Sequence, residues 1–298
     1  MRQIRLIKYL KDKYKDMSAR EIKRALDMGA CLVNGKIERT STRMIDTQKD
    51  KIKFKAIKTQ AQEKLVIKKE NIIFEDEDIL VYNKSAGHPT MAVEGKGVNL
   101  HDCLKQELKY KFLEPAHRLD KNTSGLLIFS KNKNSHALLS EMFANKKIKK
   151  TYLAIIDGKW KKKNLKGQIK NYLCLEYKKG SQQKWKVAEN LNSNDLKNPK
   201  YKEAISDYEV LKIFNDYSLV KLNPQTGRTH QLRVHMAYIG HPILGDSIYA
   251  NNFRCPQIPR RHLLHAGSLE FNHPLNKKPL NLEAPLPEDF KNFINPSI

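Results

Sequence analysis

Three stretches of this chain combine residue types that could do chemistry. The first, His117-Arg118-Leu119-Asp120-Lys121-Asn122-Thr123-Ser124-Gly125, leads directly into the apolar run Leu126-Leu127-Ile128-Phe129. A carboxylate in a turn at the mouth of a strand can be aimed at a substrate by fixed backbone. The second, Lys149-Lys150-Thr151-Tyr152-Leu153-Ala154, sets a tyrosine at a strand start. The third runs from Asn223 to His235 and on through Gly240-His241-Pro242-Ile243-Leu244-Gly245-Asp246, and is dense in donors. Within it Arg233 stands between Leu232 and Val234 in a short helical stretch. An arginine in so apolar a setting usually meets a carboxylate, and Asp120 is the natural candidate. Such a partner lowers the pKa of Asp120 and keeps it ionised, which suits a nucleophile better than a general acid.

Each residue also has a plainer reading. Asp120 before a glycine fits a turn cap, Tyr152 a core residue, and Arg233 a structural ion pair. His230, His235 and His241 are five and six residues apart, so they do not share a helical face, and no H-E-x-x-H pattern exists. No metal is expected. Ser124 with His117 and Asp120 has the residue types of a hydrolase triad, but no G-x-S-x-G elbow accompanies it. Neither a P-loop nor a dinucleotide fingerprint is present.

The elements that must position these residues read as follows. In the large region, strands are expected at Ile72-Phe74, Ile79-Asn83, Leu126-Ser130, Thr151-Ile156, Tyr208-Phe214 and Leu219-Leu222. One helix starts near Asn99. Another is capped by Asn132, with Ala137, Leu138 and Met142 facing inward. A short helix lies within 227–240, capped by Thr229. Residues 159–203 read as a hairpin plus an exposed loop near 188–200. Several strands follow one another without a helix between, which argues for an α+β fold with a mixed, largely antiparallel sheet.

Residues 1–58 form a separate unit with 17 Lys and Arg against 7 Asp and Glu. One helix carries Ile4, Leu6, Ile7 and Leu10. A second runs from a Ser18/Glu21 capping box to Gly29. A Val33-Asn34-Gly35-Lys36 hairpin and a strand at Ile52 and Phe54 follow. The basic side chains Arg20, Lys23, Arg24 and Lys36 cluster in a unit too small to need so much charge, though an ordinary solvated helix face is the plainer reading. Residues 59–69 read as a linker, and 70–298 as the large domain.

The formal net charge of +24 points to a polyanionic partner, most simply nucleic acid. Lysine bias of the surface is the plainer explanation of part of it. The four cysteines lie far apart, without C-x-x-C spacing, and read as reduced, buried thiols of a cytoplasmic protein. No apolar run is long enough to span a membrane. A monomer is expected.

Together these segments resemble the RNA pseudouridine synthases of the ribosomal large-subunit type. The motif H-R-L-D-x-x-T-S-G stands complete at 117–125. Val81-Tyr82-Asn83-Lys84-Ser85-Ala86-Gly87 is similar to the family's first motif, with Ser85 where proline is usual. Lys150-Thr151-Tyr152-Leu153-Ala154 matches its tyrosine motif, and 226–235 its arginine motif. The tail from Leu264-His265-Ala266 to Ala284-Pro285-Leu286-Pro287 is also typical. Residues 1–58 resemble the small RNA-binding module of a small-subunit ribosomal protein. Residues 159–203 depart from a compact member, with Lys202-Glu203-Ala204 at the usual glycine-lysine strand entry.

The resemblance implies a mixed-sheet catalytic domain that isomerises uridine in RNA, most simply large-subunit ribosomal RNA. Transfer RNA is the alternative substrate, and a non-catalytic ribosome assembly factor the alternative class. It implies that Asp120 is catalytic, that Tyr152 packs against the target base and assists proton removal, and that Arg233 pairs with Asp120. Arg118 would occupy the stack vacated by the flipped nucleotide. Lys84, Arg228 and His230 would bind RNA or support the cleft. The reaction involves no redox change or hydrolysis, so no cofactor is expected.

Overall fold

The computed structural model describes residues 3–27, 30–54, 65–92, 97–161, 164–179, 182–250 and 253–295, leaving out the side chains at 20, 24, 27, 37, 179 and 182. The chain divides into two compact units, Met1–Lys64 with Gln257–Arg260, and Leu65–Pro256 with Arg261–Ile298.

The first unit contains β1 (Gln3–Arg5), α1 (Leu6–Lys13), α2 (Ala19–Asp27), β2 (Cys31–Val33), β3 (Lys36–Ile37), β4 (Met44–Asp46) and β5 (Ile52–Phe54). The capping box forms as expected. Glu21 N donates to Ser18 Oγ at 3.2 Å, and Ser18 N to Glu21 Oε2 at 2.7 Å. Asn34 and Gly35 take φ of 54° and 80°, the two positive values of a two-residue hairpin turn. Leu6, Leu10, Ile22, Leu26, Val33 and Ile45 pack together as the core. Ile4 is not helical as expected. It pairs with Ile45 across β1 and β4, and the helix begins two residues later. β4 lies in a polar stretch with no apolar alternation, so neither strand of this pair has a local signal. Gly29 lies outside the described residues.

The second unit adds β6 (Ile72–Glu75), β7 (Ile79–Lys84), α3 (Leu100–Glu107), β8 (Glu114–Pro115), β9 (Ser124–Ser130), α4 (Lys133–Ala144), β10 (Lys149–Asp157), β11 (Lys166–Lys179) and β12 (Gln182–Ala188). It continues with β13 (Lys202–Ile213), β14 (Tyr217–Pro224), α5 (Gln231–Tyr238), β15 (Leu264–Asn272), β16 (Pro279–Glu283) and α6 (Glu288–Ile294). Among the described residues these strands form one sheet in the order β12-β11-β13-β14-β10-β15-β9-β7-β6, with β16 beside β15 and β8 beside β9. All pairings are antiparallel except β15 with β9. The α+β class with a mixed, largely antiparallel sheet is therefore as expected.

β9 is buried along its whole length, and its alternation feeds two cores. Leu127 and Phe129 pack with Leu100 and Leu104 of α3, while Leu126 and Ile128 pack with Leu139 of α4. On the α3 face a further cluster joins β10, β14 and α5 through Ala154, Ile156, Val220, Leu222, Leu232 and Met236. Tyr152 is packed against both clusters of that face, at their seam.

Two expectations are corrected here. Ala137 is exposed, and α4 instead turns Ser135 and Leu139 inward. Its phase follows from Ser135, whose N–H donates to the Asn132 cap and whose Oγ donates to Asp78 O, both at 2.8 Å. The cysteines are free, but only Cys31 and Cys255 are buried, because Cys103 and Cys174 sit on elements with one open face. No helix of the described residues is long and apolar enough to cross a membrane.

Candidate active site

Four neighbouring strands, β14, β10, β15 and β9, deliver the residues that the sequence marks. The short parallel register His265↔Ser124 and Ala266↔Gly125 brings the starts of β15 and β9 side by side. Gly125 has φ of 113°, and a Cβ there would lie 2.2 Å from Ala266 O. Only glycine permits that approach, which explains why the turn after Asp120 ends on one.

The turn itself is tied down residue by residue. Leu119 is buried, and both its N–H and its carbonyl bond to Thr90 Oγ1 at 3.1 Å. Lys121 O accepts from Gly87 N at 2.9 Å and from Lys84 Nζ at 3.1 Å. Asn122 O accepts from Arg261 Nη1 at 3.0 Å, and Thr123 Oγ1 lies 2.9 Å from His262 Nε2. Arg261 Nη2 also donates to Ser124 Oγ at 3.1 Å, while Nε and Nη2 fork onto Asp289 of α6. Ser124 Oγ in turn lies 3.0 Å from His265 Nδ1, which spends it in the scaffold and removes it from any triad with His117. Asp120 thus projects from a backbone held on both sides. Such pre-organisation costs nothing at the moment of reaction.

Arg233 meets Asp120 as expected, with Nη1 donating to Oδ2 at 2.9 Å. The sequence reading missed its second partner. Nε and Nη2 fork onto Asp246 Oδ2 and Oδ1 at 2.7 and 2.8 Å, and the Asp246 side chain is fully buried. Asp246 stands in the donor-rich third stretch, where a carboxylate was the only residue able to compensate the arginine. One guanidinium shared by two carboxylates leaves the Asp120–Arg233–Asp246 cluster itself net negative. Asp120 Oδ1 accepts no hydrogen bond among the described residues. Burial pushes the pKa of Asp120 up, but the charge of Arg233 beside it outweighs that and holds it at about 2. It is ionised at any physiological pH.

Helix α5 is not capped by Thr229. His230 occupies the cap position with a left-handed backbone and no capping side-chain bond. The side chain of Gln231 instead ties down the loop ahead of the helix, accepting from Arg228 N and Thr226 Oγ1 at 3.0 and 2.6 Å. This leaves the His230 ring free to face the cleft, its Nε2 3.8 Å from Asp120 Oδ2.

Tyr152 sits where the β10–β15 register shifts between Thr151 and Tyr152. Such an irregularity re-aims a side chain. Burial, then the charge of Asp120, raises its pKa, so the phenol stays neutral. Asp120, Tyr152, Arg233, Arg118, Arg228 and His230 all line one cleft of about 440 Å³. An adjoining basic cleft of about 580 Å³ shares Lys150 and Arg228 and adds Lys146 and Lys149. Arg118 and Arg228 are exposed and accessible to a polyanion.

Lys84 is corrected as an RNA contact. It is 1% exposed, and its Nζ donates to Ser85 O, His88 O and Lys121 O at 3.0–3.1 Å. The amine supports the Asp120 turn from beneath, and burial pulls its pKa down to about 7. In the first unit Lys23 and Lys36 are exposed. Arg20 and Arg24 lie on α2 with side chains outside the described set.

The cleft is walled by an ionised carboxylate, an aromatic face and basic approaches, and the chain that builds it is similar to known proteins along most of its length. The family model for RNA pseudouridylate synthase matches residues 78–238. Ribosomal large subunit pseudouridine synthase C of Rickettsia bellii is 35% identical over 304 residues, covering 96% of this chain and 95% of that one. The protein of the same name from Buchnera aphidicola subsp. Acyrthosiphon pisum is 35% identical over 233 residues, covering 75% and 69%. The solved structure of Human RNA Pseudouridylate Synthase Domain Containing 1 superposes with a TM-score of 0.59 at 26% identity, covering 73% of this chain and 83% of that one. The chain is an RNA-modifying isomerase and belongs to the RNA pseudouridylate synthase family.

Proposed function

We propose that this enzyme converts specific uridines of large-subunit ribosomal RNA to pseudouridine, with Asp120 as the catalytic carboxylate. The observation that carries this reading is an ionised Asp120 with Oδ1 uncommitted, held in a clamped turn and facing an open cleft. The names of the similar bacterial proteins support ribosomal RNA as the substrate.

The reaction breaks the bond from uracil N1 to ribose C1′ and forms one from C5 to C1′. The hydrogen leaving C5 is balanced by one gained at N1, so substrate and product are isomers. Asp120 Oδ1 acts at the ribose, on C1′ as nucleophile or on the C2′ hydrogen as base. Arg233 keeps that oxygen anionic, and Asp246 keeps Arg233 in place. Tyr152 offers a neutral aromatic face on which the detached uracil turns. A stacked uridine cannot reach this cleft, so it is flipped out, with exposed Arg118 entering the gap. Arg228 and the lysines of the adjoining cleft hold phosphates. The basic residues of 1–58, including Arg20, Lys23, Arg24 and Lys36, act as a separate RNA-binding module. The enzyme works as a monomer in the cytoplasm, where its RNA is.

Pseudouridine mapping in all RNA from cells lacking the protein tests this. One or a few sites in large-subunit ribosomal RNA are expected to disappear and to return with the wild-type chain. The Asp120→Asn chain should restore none, a loss of at least about 10³-fold. Restoration by that variant would sink the catalytic assignment, and losses confined to transfer RNA would replace the substrate.

A further inference from the structure

His230 is joined to a residue that no motif marks. Tyr249 Oη lies 2.8 Å from His230 Nδ1 and accepts from the backbone N–H of Trp185 at 3.0 Å. A phenol has one proton. With Trp185 N–H donating to it, that proton has one remaining acceptor among the described residues, His230 Nδ1. If Nδ1 carried the hydrogen instead, the tyrosine proton would have no partner in a half-buried site. The bonded arrangement therefore leaves the imidazole hydrogen on Nε2. That nitrogen is the one turned to the cleft, 3.8 Å from Asp120 Oδ2, on a side chain 13% exposed.

We infer that Tyr249 is a positioning residue that fixes His230 as a neutral Nε2–H donor, and that this donor binds uracil O2 of the flipped uridine. The inference rests on the proposed function and adds to it a residue acting on the base. The geometry selects O2. Asp120 works at C1′ or its neighbour, and O2 is the base oxygen one atom from N1, the atom bonded to C1′. When the N1–C1′ bond breaks, the uracil takes up negative charge shared by N1 and its carbonyl oxygens. A donor at O2 is then stronger in the transition state than in the bound substrate. An imidazolium is disfavoured, because burial lowers the pKa of His230 and the charge of Arg233 lowers it further against the pull of Asp120. The Tyr249 ring also lies under the Arg233 guanidinium, 5.1 Å from its centroid, so one side chain orients two residues of the site. Trp185 belongs to β12, which gives the sheet-edge hairpin a direct bond to the tyrosine that holds His230.

Nitrogen NMR of the full-length enzyme without RNA reads the tautomer directly. The expected spectrum has the His230 proton on Nε2 and a bare Nδ1, and Tyr249→Phe, which keeps the ring, should yield a mixture of tautomers. A proton on Nδ1 in the wild type, or an unchanged spectrum in Tyr249→Phe, overturns the inference. Kinetics test the donor. His230→Gln and His230→Phe share the cost of a left-handed backbone, so comparing them isolates the N–H. Phe should lower kcat about 100-fold with KM for RNA within about twofold, and Gln should recover most of that loss. Equal kcat for the two variants overturns the donor role. The NMR arm needs no turnover, so a wild-type chain that modifies no uridine would sink the proposed function while leaving the tautomer result standing.

Discussion

In β9 every residue from Ser124 to Ser130 is buried, whereas the β11–β12 hairpin at the edge of the same sheet leaves Leu175 and Tyr177 more than 40% exposed. The stretch 159–203 that contains this hairpin has 13 lysines against 4 acidic residues. The contrast separates two tasks. The centre uses packing and hydrogen bonds to hold one carboxylate still. The edge carries charge, which needs no fixed geometry to attract phosphates. The two meet where Trp185 N–H reaches Tyr249 and where His235 Nε2 lies 3.0 Å from Asn171 Oδ1.

The same substitution should therefore cost different amounts in the two regions. Gly125→Ala places a Cβ against the Ala266 backbone at a φ of 113°, and backbone on both sides of the clash is locked in the sheet. Destabilisation of roughly 3–5 kcal/mol is expected from overpacking added to the positive-φ strain. Gly167→Ala in β11 meets Tyr208 Oη at 2.6 Å, at the far end of a side chain that can relieve the clash by moving. About 1 kcal/mol is expected there. Urea unfolding of both variants measures the difference. Equal losses would mean that the centre is no more rigid than the edge.

Protonation offers a second way to break the centre selectively. Burial lowers the pKa of His117 and His262 to about 3, with Lys150 adding to the effect on the first and Arg233 on the second. Burial likewise lowers His235 and His265 to about 4. An unfolded histidine titrates near 6.5. Between those values only the unfolded chain binds the proton, so this stability is complete above about pH 6.5 and falls as pH drops toward 4. Each histidine should contribute roughly 1–2 kcal/mol of loss between pH 7 and pH 5. His262→Gln, which keeps a polar partner for Thr123, should flatten the fall by one such share. A variant with the wild-type slope would show that His262 takes up its proton in the folded state.

How far these features can be read in the sequence depends on their range. The Ser18 cap, the Asn34-Gly35 turn and the buried run of β9 are local, and each residue type states its own role. The Asp120–Arg233 pair spans more than a hundred positions. It was legible because Arg233 lies in an apolar helix that calls for a carboxylate, and Asp120 lies in a turn that leads straight into an apolar strand. Asp246, Arg261, His262 and Tyr249 were not singled out, since their roles exist only through tertiary neighbours. Thr229 failed as a cap because His230 takes the cap position with a left-handed backbone, one residue later than the threonine. Lys84 failed as an RNA contact because a lysine before a turn looks the same whether three carbonyls or a phosphate receive it.

The smallest effect on the fold should come from the edge, and it sharpens the comparison most. Lys178 and Lys186 are exposed on β11 and β12. Replacing both with glutamine should change stability by less than about 0.5 kcal/mol. RNA affinity should fall several-fold at moderate salt. For each phosphate that the variant no longer neutralises, the dependence of log affinity on log salt should become shallower by about 0.7–0.9. Turnover at saturating RNA should not move, because neither residue reaches the cleft around Asp120. Binding measured by salt titration, beside single-turnover rates, separates the two quantities. If the double variant slowed turnover while keeping the wild-type salt slope, the hairpin would be acting on the chemistry through Trp185 and Tyr249. The division between a rigid centre and an electrostatic edge would then fail at the bond that joins them.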